Sequence, residues 1–147
     1  DGTRTLSLAD VFAGPGRTTL RDGELLAAIT VRVGASSCYL RQTVRWSMDL
    51  AGVGVAASVD AEGRQLVALG AVAPTPLLLD VSGLSHAEAA ERAAAECAPI
   101  TDARGTAEYR RQVTKVLTQR ALRIASLRAQ GEWPAGVFAP INGVLSS

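Results

Sequence analysis

An aromatic, a cation and a second aromatic stand close together in this sequence as Tyr39, Arg41 and Trp46. Along an extended segment successive side chains alternate sides. Tyr39, Arg41 and Thr43 then share one face, and Cys38, Leu40 and Gln42 the other. An aromatic and a cation on one strand face, beside a polar turn, look like a contact surface; the plain alternative is an exposed face with a solvated arginine. Arg45 and Asp49, four residues apart, can pair if the segment turns once. Asp102 and Arg104 read as the residues that fix a turn. Candidates for bond-making chemistry are few, and no catalytic residue is assigned. His86 is the single histidine. It falls in the first turn of a helix, where the dipole disfavours protonation, and reads as solvated surface. No serine or cysteine sits in a context that suggests a triad. Metal ligands are absent in any usable spacing. Cys38 and Cys97 fit no metal pattern and read as reduced core residues. Gly14 and Gly16 hint at a phosphate loop. No Gly-Lys-Ser/Thr follows them, so a connector is the reading.

The elements that must position these residues follow from periodicity. Tyr39 opens a strand that breaks at the charged turn around Arg45 and Asp49 and returns as a second strand, Val53 to Val59. Ile29, Val31 and Val33 alternate as in an earlier strand with those three inward, after which Gly34 to Ser37 turn. Asp60 to Gly63 make a hairpin connection, and Arg64 to Ala73 a further strand that Pro74 and Pro76 end. Gly54, Ala56 and Ser58 share one face, as do Ala68 and Gly70. If the two faces coincide, the sheet carries a strip almost free of side chains. A closely packed helix is the expected occupant, ahead of the tail or a flat ligand. Ser85 and Glu88 form a capping box that starts a helix from His86 to about Cys97, with an alanine side made of Ala89, Ala90, Ala93 and Ala94. Thr106 starts a longer helix to about Ala129. It carries Tyr109, Val113, Val116, Leu117, Ile124 and Leu127 at helical spacing, with Arg110, Arg111, Lys115, Arg120, Arg123 and Arg128 on its other side. Gly131 is placed to cap it. Leu8 to Phe12 read as one helical turn, Ala13 to Gly23 as a loop, and Leu77 to Gly83 as a connector.

These elements make an α+β fold: a three- to four-stranded antiparallel sheet packed on one face by a small helical bundle. The 147 residues suit one domain, and 48% of them are apolar, enough for a core. Net charge is only +1. The basic residues are nearly all arginine and scattered, which argues against nucleic acid as the partner. No apolar run is long enough to span a bilayer. No signal peptide is visible, and the chain starts at Asp1, as a processed or excised piece does. A cytoplasmic location is expected.

Several stretches together resemble a known family. They are F-A-G-P-G-R-T-T-L-R-D-G-E-L-L, then Leu40-Arg41, Arg45 to Ala51 and Gly52 to Val59, and A-P-I-T-D-A-R-G-T-A-E-Y-R-R-Q-V. They are similar to the C-terminal domain of the FAD-binding (medium) subunit of the molybdenum hydroxylases, the family of aerobic carbon monoxide dehydrogenase and xanthine dehydrogenase flavoproteins. That family carries an aromatic or apolar residue, then Lys or Arg, then Arg-Arg-x-x-Asp-x-Ala running into a small-residue strand. Its final motif is a Pro-x-x-Asp-x-Arg-Gly turn leading into Tyr-Arg-Arg. The matching pieces cover most of Leu6 to Leu122 in the family's order. Trp46 stands where the family has its second arginine, which bears on whatever that arginine contacts. The resemblance implies the same sheet-plus-bundle architecture. It implies a division into a linker or arm at 1–23, the family domain at 24–131 and an irregular tail at 132–147.

Two functional readings of different kinds follow. In the first, the chain is the C-terminal domain of a flavoprotein subunit. It closes one side of a FAD site and docks iron–sulfur and molybdenum subunits, and the resemblance matches Arg41 to the family's basic residue near the isoalloxazine. FAD is then held only together with an N-terminal FAD-binding domain, since the family's glycine loops occur nowhere in these residues. In the second, the domain stands alone as a small-molecule binding protein or a cofactor-independent cyclase, with a pocket at Tyr39, Arg41 and Trp46. A homo-oligomer is compatible with either.

Overall fold

The computed structural model describes residues 2–31, 33–45 and 48–133. Its centre is a four-stranded antiparallel sheet: β3 (Ser36–Gln42), β4 (Val53–Val59), β5 (Gln65–Gly70) and β6 (Leu77–Asp80), adjacent in chain order. Before it come α1 (Leu8–Val11), β1 (Phe12–Gly14) and β2 (Arg17–Thr18), the last two forming a separate hairpin. After it come α2 (His86–Glu96) and α3 (Ala107–Ala129).

Both long helices lie on one face of the sheet. Val53, Val55, Ala57 and Val59 of β4 join Cys38, Val67, Leu69 and Leu79 in one core with Ala89, Ala93 and Cys97 of the α2 region and Ala121, Leu122 and Ala125 of α3. Fully burying a valine or leucine side chain stabilises by about 1.5–3 kcal/mol. The alanines of α2 bring its backbone close. The helix starts where expected, with Ser85 Oγ accepting from the Glu88 N–H and Glu88 reaching back to the Ser85 N–H. In α3 Gln130 is the C-cap, and Gly131 follows with φ 82°. The Glu132 N–H reaches the Leu127 carbonyl there.

The structure corrects several expectations. The described residues of the period-2 segment Ile29–Val33 form no strand, and its apolar residues do not point inward: Ile29, Val31 and Val33 are 69%, 73% and 87% exposed. No strand of the described residues pairs with it, and alternation specifies a strand only where a partner exists. Ser36 and Ser37 belong to β3 rather than to a turn. Phe12, read as the end of a helical turn, instead opens a strand Phe12–Gly14 that pairs with Arg17–Thr18 inside what read as a loop. Strand β5 ends at Gly70, because Ala71 takes φ 64°. The connector after Pro76 supplies edge strand β6, whose pairing with β5 the local sequence did not signal. On α3 the buried stripe is Arg110, Thr114, Thr118, Ala121, Leu122, Ile124 and Ala125. Arg110 therefore does not belong to the solvated side, and Tyr109 is 47% exposed. The resemblance's boundaries at 24 and 131 remain a proposal.

Candidate functional site: the open face of the sheet

The second face of the sheet carries no described helix. The register sets its side chains in rows. Arg41, Gly54 and Gly70 form one row, and Tyr39, Ala56, Ala68 and Leu78 the next. The two small-residue faces therefore coincide. The expected occupant is corrected, because the helices pack against the valine face instead. The apolar bulk of β4 is all at Val53, Val55 and Val59, so a helix gains far more area on that side.

The result is a shallow trough. Gly54, Gly70, Ala56 and Ala68 make its floor, Tyr39 and Arg41 one wall, and Leu78, 68% exposed, the other. Strands lie about 4.8 Å apart, so the floor is roughly 10 Å wide. Tyr39, 61% exposed, leans over the glycine opposite Arg41: a Cβ built on Gly54 would lie 2.8 Å from its Oη. The structure thus brings Tyr39 and Arg41 together above Gly54. Among the described residues no carboxylate pairs with Arg41. Trp46, the third residue of the expected surface, lies outside the described residues.

Around the end of β3 an open groove of about 430 Å³ adjoins Arg41. Gln42 and Thr43 line it from the strand, and Val113, Val116, Leu117 and Arg120 from α3. No local pattern signals this groove, since it forms only where α3 meets the end of β3. Leu78 was missed because its strand was missed.

The turn residues behave as geometry demands. Asp49 Oδ2 accepts from the Val44 and Arg45 N–H groups, each at 2.8 Å. Its ion pair with Arg45 is looser, at 3.9 Å. The Arg45 N–H, ahead of the Val44 N–H and the Arg45 charge, holds its carboxyl below the usual range. Asp102 accepts from the Arg104 N–H at 2.8 Å and pairs with the buried Arg110. Those two contacts, the Arg104 N–H first, lower its carboxyl too. Arg104 contributes chiefly its backbone N–H and, more weakly, its charge. Arg110 was not foreseen as Asp102's partner; its position one helical step before the buried Thr114 and Thr118 is the signal that could have shown it. His86 is not simply solvated: its Nε2 lies 3.2 Å from Ser126 Oγ, joining α2 to α3. Cys38 and Cys97 are both unpaired and buried. Among the described residues no cluster of ligands could hold a metal ion, and no helix is long and apolar enough to cross a membrane.

A sequence model of the CO dehydrogenase flavoprotein C-terminal domain matches residues 38–125, from the middle of β3 nearly to the end of α3. The chain belongs to that family. Two curated relatives agree. One is the glyceraldehyde dehydrogenase medium chain of Sulfolobus acidocaldarius, 30% identical over 83% of this chain and 49% of its own length. The other is the aldehyde oxidoreductase FAD-binding subunit PaoB of Escherichia coli, 33% identical over 60% of this chain and 30% of its own. Among solved structures, carbon monoxide dehydrogenase from Hydrogenophaga pseudoflava superposes with a TM-score of 0.70 at 26% identity, over 82% of this chain and 47% of that one. Quinoline 2-oxidoreductase from Pseudomonas putida 86 gives 0.67 at 25% identity, over 87% and 49%. The chain spans about half the length or less of the relatives it matches. Nothing among these relatives supports the stand-alone cyclase reading. The family's α+β architecture is the one described above.

Proposed function

We propose that this chain works as the C-terminal domain of the FAD-bearing subunit of a molybdenum hydroxylase-type oxidoreductase. It lies against a FAD-bearing domain and contributes to the docking of iron–sulfur and molybdenum subunits. The observation that carries this reading is the uncovered sheet face within the family-matched residues, with Tyr39 and Arg41 meeting above a floor of glycine and alanine. A floor without side chains lets a flat group or another domain's backbone approach closely, and a guanidinium beside a phenol can pair with charge and stack on a ring.

The chain does not hold FAD by itself. A dinucleotide's phosphates need free backbone N–H groups, most simply at a helix N-terminus. In α2 the Ser85–Glu88 box occupies two of those groups, the Ser85 and Glu88 N–H. In α3 the Thr106 and Thr101 hydroxyls accept from Tyr109 and Ala107. The flavin, held by another domain, would supply the redox chemistry. This chain's own part is to present Arg41 and Tyr39, exclude water over the trough and fix the neighbouring turn through Asp49. Two unpaired buried thiols suit a reducing compartment, and the cytoplasm is the location this reading gives.

The test is the parent reading frame and its product. A FAD-binding domain encoded in the same subunit is expected. In that subunit Arg41→Ala should leave flavin content unchanged and alter the rate of flavin reduction and the flavin absorption band. A parent without any FAD-binding domain, or an Arg41→Ala subunit with unaltered band and rate, overturns the reading. The isolated chain mixed with FAD should stay colourless after desalting.

A further inference from the structure

The groove between the end of β3 and α3 is chemically one-sided. One stripe of α3 forms its long wall: Gln112, Val113, Val116, Leu117 and Arg120 follow helical spacing, and Arg41, Gln42 and Thr43 face them. From Gln112 to Arg120 the helix rises about 12 Å. Val113 and Leu117 are half-buried and pack against the core, and Val116 is half-buried beside them. The groove's floor is therefore the edge of the core reaching the surface. Arg120 is exposed above it, Arg41 stands on the opposite wall, and the lining contains no aspartate or glutamate. The ion pairs of the described residues engage Arg4, Arg45, Arg64, Arg92, Arg110 and Lys115, and none reaches Arg41 or Arg120. An apolar floor edged by arginines without lysine or carboxylate is the composition of a protein contact rather than of ordinary surface.

We infer that this groove receives a short acidic segment of a partner subunit, with an apolar side chain on Val113, Val116 and Leu117 and a carboxylate on Arg120. This deepens the proposed function and rests on it for the existence of a partner subunit, not for the flavin. Charge complementarity sets the sign of the segment: two guanidinium groups and no acid in the lining exclude a basic partner, and a guanidinium grips a carboxylate through two parallel N–H bonds. The length sets its size. An extended chain advances about 3.3 Å per residue, so about four residues run the groove from Gln112 to Arg120. The amides of Gln42 and Gln112 can both donate to and accept from the main chain of such a segment. The groove is open along its length. Sites for small molecules enclose most of their ligand, which an open groove cannot do.

The experiment uses the assembled enzyme that contains this chain, with Val116 replaced by the photoreactive p-benzoylphenylalanine. Irradiation and mass spectrometry should find the link in another subunit, on a segment carrying Asp or Glu beside an apolar residue. In a second arm, Arg120→Glu should raise the dissociation constant of the partner subunit about tenfold or more, and less so at high salt. Arg123→Glu, on the exposed side of α3 outside the groove, should leave it unchanged. Circular dichroism of each variant confirms folding, and the cross-link reads the same contact without altering charge. No link, a link only within the FAD-bearing subunit, or a link to a segment without a carboxylate overturns the inference. Equal weakening by Arg123→Glu overturns it too, since net charge and not the groove would then govern docking. Binding of hexanoate to the chain that Arg120→Glu abolishes, with assembly unaffected, overturns it in favour of a small organic acid. Normal flavin content and absorption in an Arg120→Glu enzyme that assembles normally sinks this inference and leaves the proposed function standing. A parent with neither a FAD-binding domain nor partner subunits overturns both.

Discussion

Gly54→Ala is the substitution that best separates the two faces of the sheet. The added Cβ would meet Tyr39 Oη at 2.8 Å, Cε2 at 3.3 Å and Cζ at 3.5 Å. Every one of those atoms belongs to one side chain that is 61% exposed. The ring can therefore rotate outward, at a cost bounded by about 0.5–1.5 kcal/mol even if it stays in an unfavourable rotamer. Against this, alanine in a strand interior recovers about 0.5–1 kcal/mol over glycine through chain entropy. The two effects nearly cancel, and stability should change by less than about 1 kcal/mol. Ala57→Leu, three residues on, is the control. Ala57 is 1% exposed on the valine face and packs in the helix-covered core. Inserting three carbons there should cost about 1–3 kcal/mol or more. Urea unfolding followed by far-ultraviolet circular dichroism measures both. The near-ultraviolet signal should also change in Gly54→Ala as Tyr39 moves. If Gly54→Ala loses as much stability as Ala57→Leu, the ring is held in place and the face is not open as described.

Three further outcomes follow from other parts of the molecule. Leu122 is 0% exposed, and Leu122→Ala should cost about 2–5 kcal/mol with no change in the open face of the sheet, read as a lower urea midpoint at unchanged slope. The Ser82 hydroxyl, then its N–H and Arg64, pull the Asp80 carboxyl from 3.8 to about 2. A carboxylate depressed on folding stabilises fully above its unfolded value, so this contribution holds above about pH 4 and fades as pH falls towards 2. The urea midpoint of Asp80→Asn should fall less steeply over that window than that of the original; parallel curves would refute the assignment. Cys38, whose thiol is pushed up by burial, and Cys97 should both resist alkylation in the native protein and react together once it is unfolded in urea. Fast labelling of either in buffer, or a mass showing a disulfide, would contradict their burial in the core.

What could be read from the residues was whatever local chemistry decides. The capping box at Ser85, the alanine side of α2 and the alternation of β4 act over a few residues, and each appears where periodicity placed it. The small-residue strip was also legible as two faces, whose coincidence the register of β4 with β5 supplies. Its occupancy was not, because which face a helix covers depends on the total apolar area of each side and not on how closely one side can be approached. The Ile29–Val33 segment failed for the opposite reason. Its pattern is a good strand pattern, but a strand is a relation between two segments, and none of the described residues supplies the second. Leu77–Asp80 shows the converse, a short run with no pattern of its own that β5 organises by pairing. On α3 a simple division into apolar and basic sides misplaced Arg110, since a charged residue can be buried where Asp102 waits for it. Arg41 and Tyr39 could be found as a pair, but the groove beside them could not.

Because the trough's floor is backbone covered by nothing larger than a methyl group, whatever settles on it must fit main-chain relief. Gly, Ala and Ser can replace one another at positions 54, 56, 68 and 70 with little change in that relief. The first branched side chain to appear there would stand up like a post in a channel and hold the approaching surface off along its whole length. The interface would then tolerate exchange among these small residues and fail abruptly on a single branched side chain. Laboratory variants that block the proposed contact without unfolding the domain should concentrate at these four floor positions rather than at the more conspicuous tyrosine and arginine of the wall.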